Sequence, residues 1–146
     1  MEQTLLIIKP DAVAAGRIGD ILSMVARAGL SPIAMEMRSL CEAEVRAFYA
    51  VHRGKSFYEP LMTFMTSGPV VLCVIAGDSA VAGLRCLVGT TDPAEAAPGT
   101  IRATFGGTVQ RNAVHASDSV ASGNAEVAFF FAGARLLAAG HRLDKA

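Results

Sequence analysis

Two continuous apolar runs (residues 4–8 and 70–76), one alternating run (31–38) and amphipathic helical stretches between them predict an α+β domain. The order is strand, helix, strand, helical insertion, strand, helix, loop, strand. That order fits a split β-α-β, ferredoxin-like fold: a four-stranded antiparallel sheet, helices covering one face, and a long loop carrying part of the site. At 146 residues, one domain over 1–146 is expected.

Thr4-Leu5-Leu6-Ile7-Ile8 is short, apolar and rich in β-branched residues, and Pro10 ends it. It reads as a central strand buried on both faces. Ile18, Ile21, Leu22, Val25 and Ala26 recur at helical spacing, and Gly29 stops that helix. Ile33, Met35 and Met37 alternate with Ala34, Glu36 and Arg38, so this strand is half-buried with one exposed face. It is the candidate for pairing across a subunit boundary. Ser39 and Glu42 have capping-box spacing before a helix over 43–50. A second short helix is expected over 57–65, with Leu61, Phe64 and Met65 inward and Ser67-Gly68-Pro69 as its break. Val70 to Ala76 is again a continuous apolar strand. Val81, Leu84 and Val88 mark the next helix, stopped by Gly89. Residues 90–117 are rich in Thr, Gly, Pro and Ala and read as a long loop with one helical turn near 101–105. Loops of that length in compact domains usually serve function. Glu126-Val127-Ala128-Phe129-Phe130-Phe131 is expected as the last strand, followed by a short, mildly basic tail.

The chain is 52% hydrophobic and 18% charged, enough for a full core and too little charge for disorder. Its 13 basic and 13 acidic residues cancel. That balance excludes a general binder of nucleic acid or of a membrane surface. Contact with a polyanion must therefore come from a few focused cations. Cys41, Cys73 and Cys86 form no C-x-x-C pair and read as reduced thiols acting as small buried hydrophobes. No secretory signal is visible, and the longest uncharged apolar run, 69–77, is too short to span a bilayer. A soluble cytoplasmic protein is expected.

The chemistry concentrates in Arg111-Asn112-Ala113-Val114-His115-Ala116-Ser117-Asp118-Ser119. A neutral imidazole is a nucleophile at pH 7, because its unperturbed pKa is about 6.5. A polar, helix-starting run follows His115 directly. Lys9 ends a buried strand beside a proline, Arg85 lies late in a helix, and Arg102 lies in Pro98-Gly99-Thr100-Ile101-Arg102. Cations, a free histidine and little else point to phosphoryl transfer through a phosphohistidine.

Over nearly its whole length the chain resembles the nucleoside diphosphate kinases, bacterial type. The resemblance rests on six segments in order: Ile8-Lys9-Pro10-Asp11, Phe48-Tyr49-Ala50-Val51-His52, Thr66-Ser67-Gly68-Pro69-Val70, Gly89-Thr90-Thr91-Asp92-Pro93, Pro98–Arg102 and Arg111–Ser119. It implies a ping-pong transfer of the terminal phosphoryl group from ATP or another nucleoside triphosphate to a nucleoside diphosphate, through His115. It implies that Glu126 orients the imidazole; alone, that residue reads equally as a solvent-facing edge-strand carboxylate. Lys9, Arg85 and Arg102 match the phosphate-binding cations, although Arg85 and Arg102 alone would read as solvated helix faces. Thr91 matches a phosphate contact, and Asn112 and Lys9 match the groups that hold the sugar hydroxyls. Phe57 and Val109 match the apolar pair that sandwiches the base, with ordinary core packing as the alternative. Tyr49 and Ser117 match groups beside the histidine. His52 and His141 are read as satisfied structural histidines. Mg2+ is expected to arrive with the nucleotide phosphates, with Asp118 close by through water and no metal site in the free protein. A homo-oligomer, tetramer or hexamer and sometimes a dimer, is implied, with no specific nucleic acid and no membrane as partner.

Two positions depart from the family pattern. Ala116 replaces the usual glycine after the histidine, which costs up to about 1 kcal/mol where a positive φ is needed. Thr104 stands where many bacterial members carry aspartate. Ala116 is the one feature favouring an alternative function, a nucleotide-binding regulator with little or no turnover. An RNA-binding module of the same topology is disfavoured, because its central strands would carry aromatics and Leu5–Ile8 and Val70–Leu72 carry none.

Overall fold

The computed structural model describes residues 1–131. The chain runs β1 (Glu2–Ile8), α1 (Pro10–Ala14), α2 (Ile18–Arg27), β2 (Ser31–Arg38), α3 (Glu42–Phe48), a 3-10 turn (Ala50–His52), α4 (Tyr58–Met65) and β3 (Val70–Gly77). It continues through α5 (Ala80–Val88), α6 (Ile101–Phe105), β4 (Val114–Ala116) and α7 (Val120–Phe130). The strands form one antiparallel sheet in the order β2-β3-β1-β4. The sheet is the expected ferredoxin-like one, but helices cover both of its faces rather than one, because both sides of β1 and β3 are apolar.

β1 sits centrally, and its alternation divides the core. Leu5 and Ile7 join Leu72 and Val74 beneath α3, α4 and α7. Leu6 and Ile8 join Val71, Cys73 and Ile75 beneath α2 and α5. Burying each such Leu or Ile contributes roughly 1.5–3 kcal/mol. The helix pair α2 and α5 covers one face, and the insertion helices with α7 bury the other. This explains why β1 and β3 read as unbroken apolar runs.

The fourth strand is not where the periodicity places it. Residues 126–131 lie in α7 up to Phe130, and β4 is the three-residue segment Val114–Ala116, paired with Leu6–Ile8. A short aromatic run does not distinguish strand from helix. The deciding signal is Ser119, whose hydroxyl accepts from the Ser122 N–H and caps α7. Glu126 is therefore a mid-helix residue rather than a strand start. α7 lies close over β1 because position 123 is glycine: a Cβ there would stand 3.0 Å from the Gln3 carbonyl oxygen.

Three smaller expectations also change. The cap of α3 is Cys41, whose backbone N–H donates to Glu44 Oε2 at 2.9 Å, rather than Ser39 with Glu42. Cys41 and Cys86 are exposed, and only Cys73 behaves as a buried hydrophobe. On β2, Met35 and Met37 share a face with Cys73 and Val71 yet are 57% and 55% exposed. The apolar side of this edge strand is thus largely uncovered in the single chain. The tail and His141 lie outside the described residues. Among the described residues no helix is long and apolar enough to cross a membrane.

Candidate active site

β4 is short, but it carries His115 into the sheet beside Ile7. α7 then folds back across β1 and presents Glu126. Its Oε2 stands 2.8 Å from His115 Nε2. An ionised carboxylate only accepts, so in the neutral imidazole this contact selects the tautomer with its proton on Nε2 and its lone pair on Nδ1. Ser117 is buried, donates to the same Oε2 at 2.6 Å and accepts from the Leu5 N–H at 3.2 Å. The carboxylate is thus tied to the strand that also carries the histidine. The His115 side chain is 20% exposed, so one edge of the ring reaches the surface.

Aromatic rings wall the imidazole. Phe48 meets it edge-on at 5.3 Å and Tyr49 at 6.2 Å. The Tyr49 hydroxyl is buried with no hydrogen-bond partner among the described residues. Burial, and secondarily Glu126, push its pKa up, so it stays protonated. His52, a structural histidine by sequence, stacks on Tyr49 at 6.1 Å and touches the Phe57 ring at 5.3 Å. Burial, then Lys55, then His115 lower its pKa. Its place in this aromatic row carried no sequence signal, because the 3-10 turn that puts it there has no periodicity.

The three sequence-selected cations converge. Lys9 is buried and donates to Asn112 Oδ1 at 2.7 Å. Burial, and then the neighbouring Arg102, lower its pKa to about 8, with Asp11 opposing. Arg102 donates to the carbonyls of Gly89 and Val114 at 3.0 Å each, and Val114 directly precedes His115. Its Nε is buried without a hydrogen-bond partner among the described residues. Burial and the charge of Arg85 lower its pKa. Arg85 also helps to depress the pKa of Asp118, after the hydrogen bond from Ser122. Like charges held this close raise one another's energy unless an anion joins them.

Asn112 is buried and bridges Lys9 to the Thr91 carbonyl, its Nδ2 donating at 3.0 Å. Thr91 itself is exposed. Phe57 and Val109 are 47% and 54% exposed, which removes the core-packing alternative. Gln110 Nε2 donates to the Pro60 carbonyl at 2.6 Å, so the loop carrying Val109 is tied to the start of α4, beside Phe57.

The backbone strain near the histidine is at Ala113, with φ +72°, and not at Ala116. Ala116 lies in β4 opposite Leu6 and has no positive φ, so alanine there costs nothing in backbone strain. Thr104 is spent locally: its hydroxyl donates to the Thr100 carbonyl at 2.7 Å. Among the described residues no group of three or more His, Cys, Asp or Glu is placed to hold a metal ion.

A carboxylate-anchored histidine on a ferredoxin-like sheet, next to a strand carbonyl held by one of three electrostatically coupled cations, defines a phosphotransferase class of nucleotide-handling domain. Comparison with known proteins narrows the class. The family model for nucleoside diphosphate kinase matches residues 2–136. The nucleoside diphosphate kinase of Anaeromyxobacter sp. (strain Fw109-5) is 52% identical over 130 residues, covering 89% of each chain. That of Psychromonas ingrahamii is 51% identical over 131 residues, covering 90% of this chain and 91% of the relative. The crystal structure of Aquifex aeolicus nucleoside diphosphate kinase superposes with a TM-score of 0.89 at 42% identity, covering 91% of this chain and 96% of that one. The chain belongs to the nucleoside diphosphate kinase family and is a phosphotransferase.

Proposed function

We propose that this chain transfers the terminal phosphoryl group of a nucleoside triphosphate to a nucleoside diphosphate through a phosphohistidine on Nδ1 of His115. The observation that carries this reading is the 2.8 Å contact of His115 Nε2 with Glu126, which selects the tautomer of the neutral imidazole whose lone pair is on Nδ1. In the first half-reaction Nδ1 bonds to the terminal phosphorus. The bridging P–O bond breaks, and its electrons leave with the diphosphate. The ring, now substituted on both nitrogens, is cationic, and the Glu126 carboxylate stabilises it. A terminal oxygen of the acceptor diphosphate reverses these steps.

Lys9, Arg85 and Arg102 are assigned to the phosphate oxygens, where charge spreads in a loose transition state. Lys9 and Asn112 also hold the sugar hydroxyls, and Thr91 contacts phosphate. Phe57 and Val109 clasp the base. Stacking tolerates every base because each has a π-face. Tyr49 and Ser117 support the ring and Glu126. Magnesium enters as part of the nucleotide substrate. Exposed, ionised Asp118 fits a contact through water, consistent with an ion that keeps most of its hydration.

The protein is further proposed to work as a homo-oligomer, tetramer or hexamer, with the exposed Met35–Met37 edge of β2 as a contact between copies. Glutamate at both methionines should then lower the mass measured by sedimentation.

Incubation with terminally labelled ATP and no acceptor is the direct test. Base-stable, acid-labile label on His115, chased off by GDP, is expected. His115→Ala should stay folded and lose label and transfer. Label on serine, or none, ends the reading. The regulator alternative has lost its one support, since Ala116 is unstrained.

A further inference from the structure

We infer that Asp11 is a positioning residue for the transfer: its carboxylate clips a strained turn at Ala113 and so fixes Asn112 and His115 relative to each other. The inference rests on the roles proposed above for those two residues.

Ala113 is fully buried, and its φ of +72° is one that an alanine rarely adopts. The Val114 N–H donates to the Asn112 carbonyl at 2.9 Å, skipping one residue. Positive φ with this bond makes the rare, strained form of γ-turn. Nothing in the local sequence favours it, because alanine gains nothing from the left-handed region. Strain of this kind persists only where surrounding structure over-determines it.

The surrounding structure here is the segment that follows β1. The Lys9 N–H donates to the Ala113 carbonyl at 2.9 Å. The Ala113 N–H donates to Asp11 Oδ2 at 3.0 Å. The strained residue is therefore gripped at both its amide and its carbonyl. The Lys9 bond is main-chain and survives any side-chain change, whereas the Asp11 bond can be removed. Among the described residues Asp11 forms no salt bridge. At Ala113 it acts as a hydrogen-bond acceptor, while its charge separately favours the protonated form of Lys9.

Asn112 and His115 flank this turn, one on each side. Released, the turn relaxes toward negative φ and rotates the peptide between them. A displacement of about 1 Å at a reacting centre lowers a rate on the order of a hundredfold. The loss falls on the chemical step more than on nucleotide affinity, because Phe57, Val109 and Arg85 are not bonded to the turn.

The test measures His115 phosphorylation by labelled ATP in rapid-quench experiments over a range of ATP concentrations. Asp11→Ala should lower the saturated rate by about 10- to 100-fold, with a much smaller change in half-saturation. Asp11→Asn keeps an acceptor oxygen and should remain within about threefold of the parent. Adding Ala113→Gly to Asp11→Ala should recover about tenfold, since glycine takes positive φ without penalty. A purely structural role for Asp11 predicts no such recovery of rate. An Asp11→Ala rate within about twofold of the parent, a folded Asp11→Asn as slow as Asp11→Ala, or no recovery in a folded double variant each overturns the proposal. Should Asp11→Ala not fold, Asp11→Asn and the double variant decide it by the same criteria. A parent that takes no label on His115 overturns the functional reading itself, and this inference with it. Label on the parent with an indifferent Asp11 overturns the clip alone.

Discussion

Glu126 Oε2 accepts two hydrogen bonds at once, from His115 Nε2 at 2.8 Å and from Ser117 Oγ at 2.6 Å. The first fixes the imidazole tautomer and the second fixes the carboxylate. Groups that orient a reactive histidine typically contribute 10- to 100-fold when the histidine is a metal ligand. Glu126→Ala should therefore lower kcat by about 10- to 100-fold with little change in KM, measured with ATP and GDP. Unaltered kcat would remove Glu126 from the site.

Ser117→Ala should act on stability as well as on rate. It leaves the buried Leu5 N–H without its acceptor at 3.2 Å. An unsatisfied buried donor costs about 1–3 kcal/mol, which urea unfolding should show as a lower midpoint at constant m-value.

Lys9 makes the activity sensitive to alkaline pH. Its pKa in the folded chain is about 8, lowered from 10.5 mainly by burial. The free enzyme loses this cation as pH rises through about 8, so kcat/KM for ATP should fall above that value. Stability moves the opposite way. Between about 8 and 10.5 the unfolded chain binds the proton that the folded chain has released, so unfolding becomes harder as pH rises. Lys9→Met should abolish both trends, seen in a pH–rate profile and in urea titrations at pH 7, 9 and 10. Trends that persist in that variant belong to another group.

Phe57 is 47% exposed at the N-terminus of α4. If it stacks on the base, Phe57→Ala costs about 1–3 kcal/mol of binding, roughly 5- to 150-fold in KM for each diphosphate. kcat should change far less. Equal KM for parent and variant would show that the base binds elsewhere.

Gly123 sets the approach of α7 to β1, and a Cβ there would press on the Gln3 carbonyl oxygen at 3.0 Å. Gly123→Val should destabilise by about 1–3 kcal/mol through overpacking. It should also slow phosphohistidine formation, because Glu126 lies one helical turn further along α7. Loss of stability with a normal rate at 10 °C would separate the two effects.

The sequence was legible where periodicity or a charged residue in an apolar setting carries the signal. The amphipathic stripe of α2, the buried runs of β1 and β3 and the turn of α6 are local properties, and all are in place. Lys9 stood out because a lysine ending a buried strand beside a proline has few structural uses, whereas Arg85, Arg102 and His115 stood out only through the motifs around them. β4 and α7 were not legible in this way. Three residues are too few to show a period, and Glu-Val-Ala-Phe-Phe-Phe satisfies strand and helix patterns equally. The Ser39 cap failed for a related reason, since Cys41 with Glu44 offers the same geometry two residues later.

Composition, period and motif order were enough to determine the fold class and the family of this chain, because those depend on which residues alternate and where glycine and proline fall. The exposure of Phe57 and Val109, the bond between Glu126 and His115, the harmlessness of Ala116 and the strain at Ala113 were decided only in three dimensions. Each depends on how closely segments distant in sequence approach one another, α7 over β1 and the segment after β1 against the residue before β4. That distance is set by packing across the whole core, which no local pattern encodes.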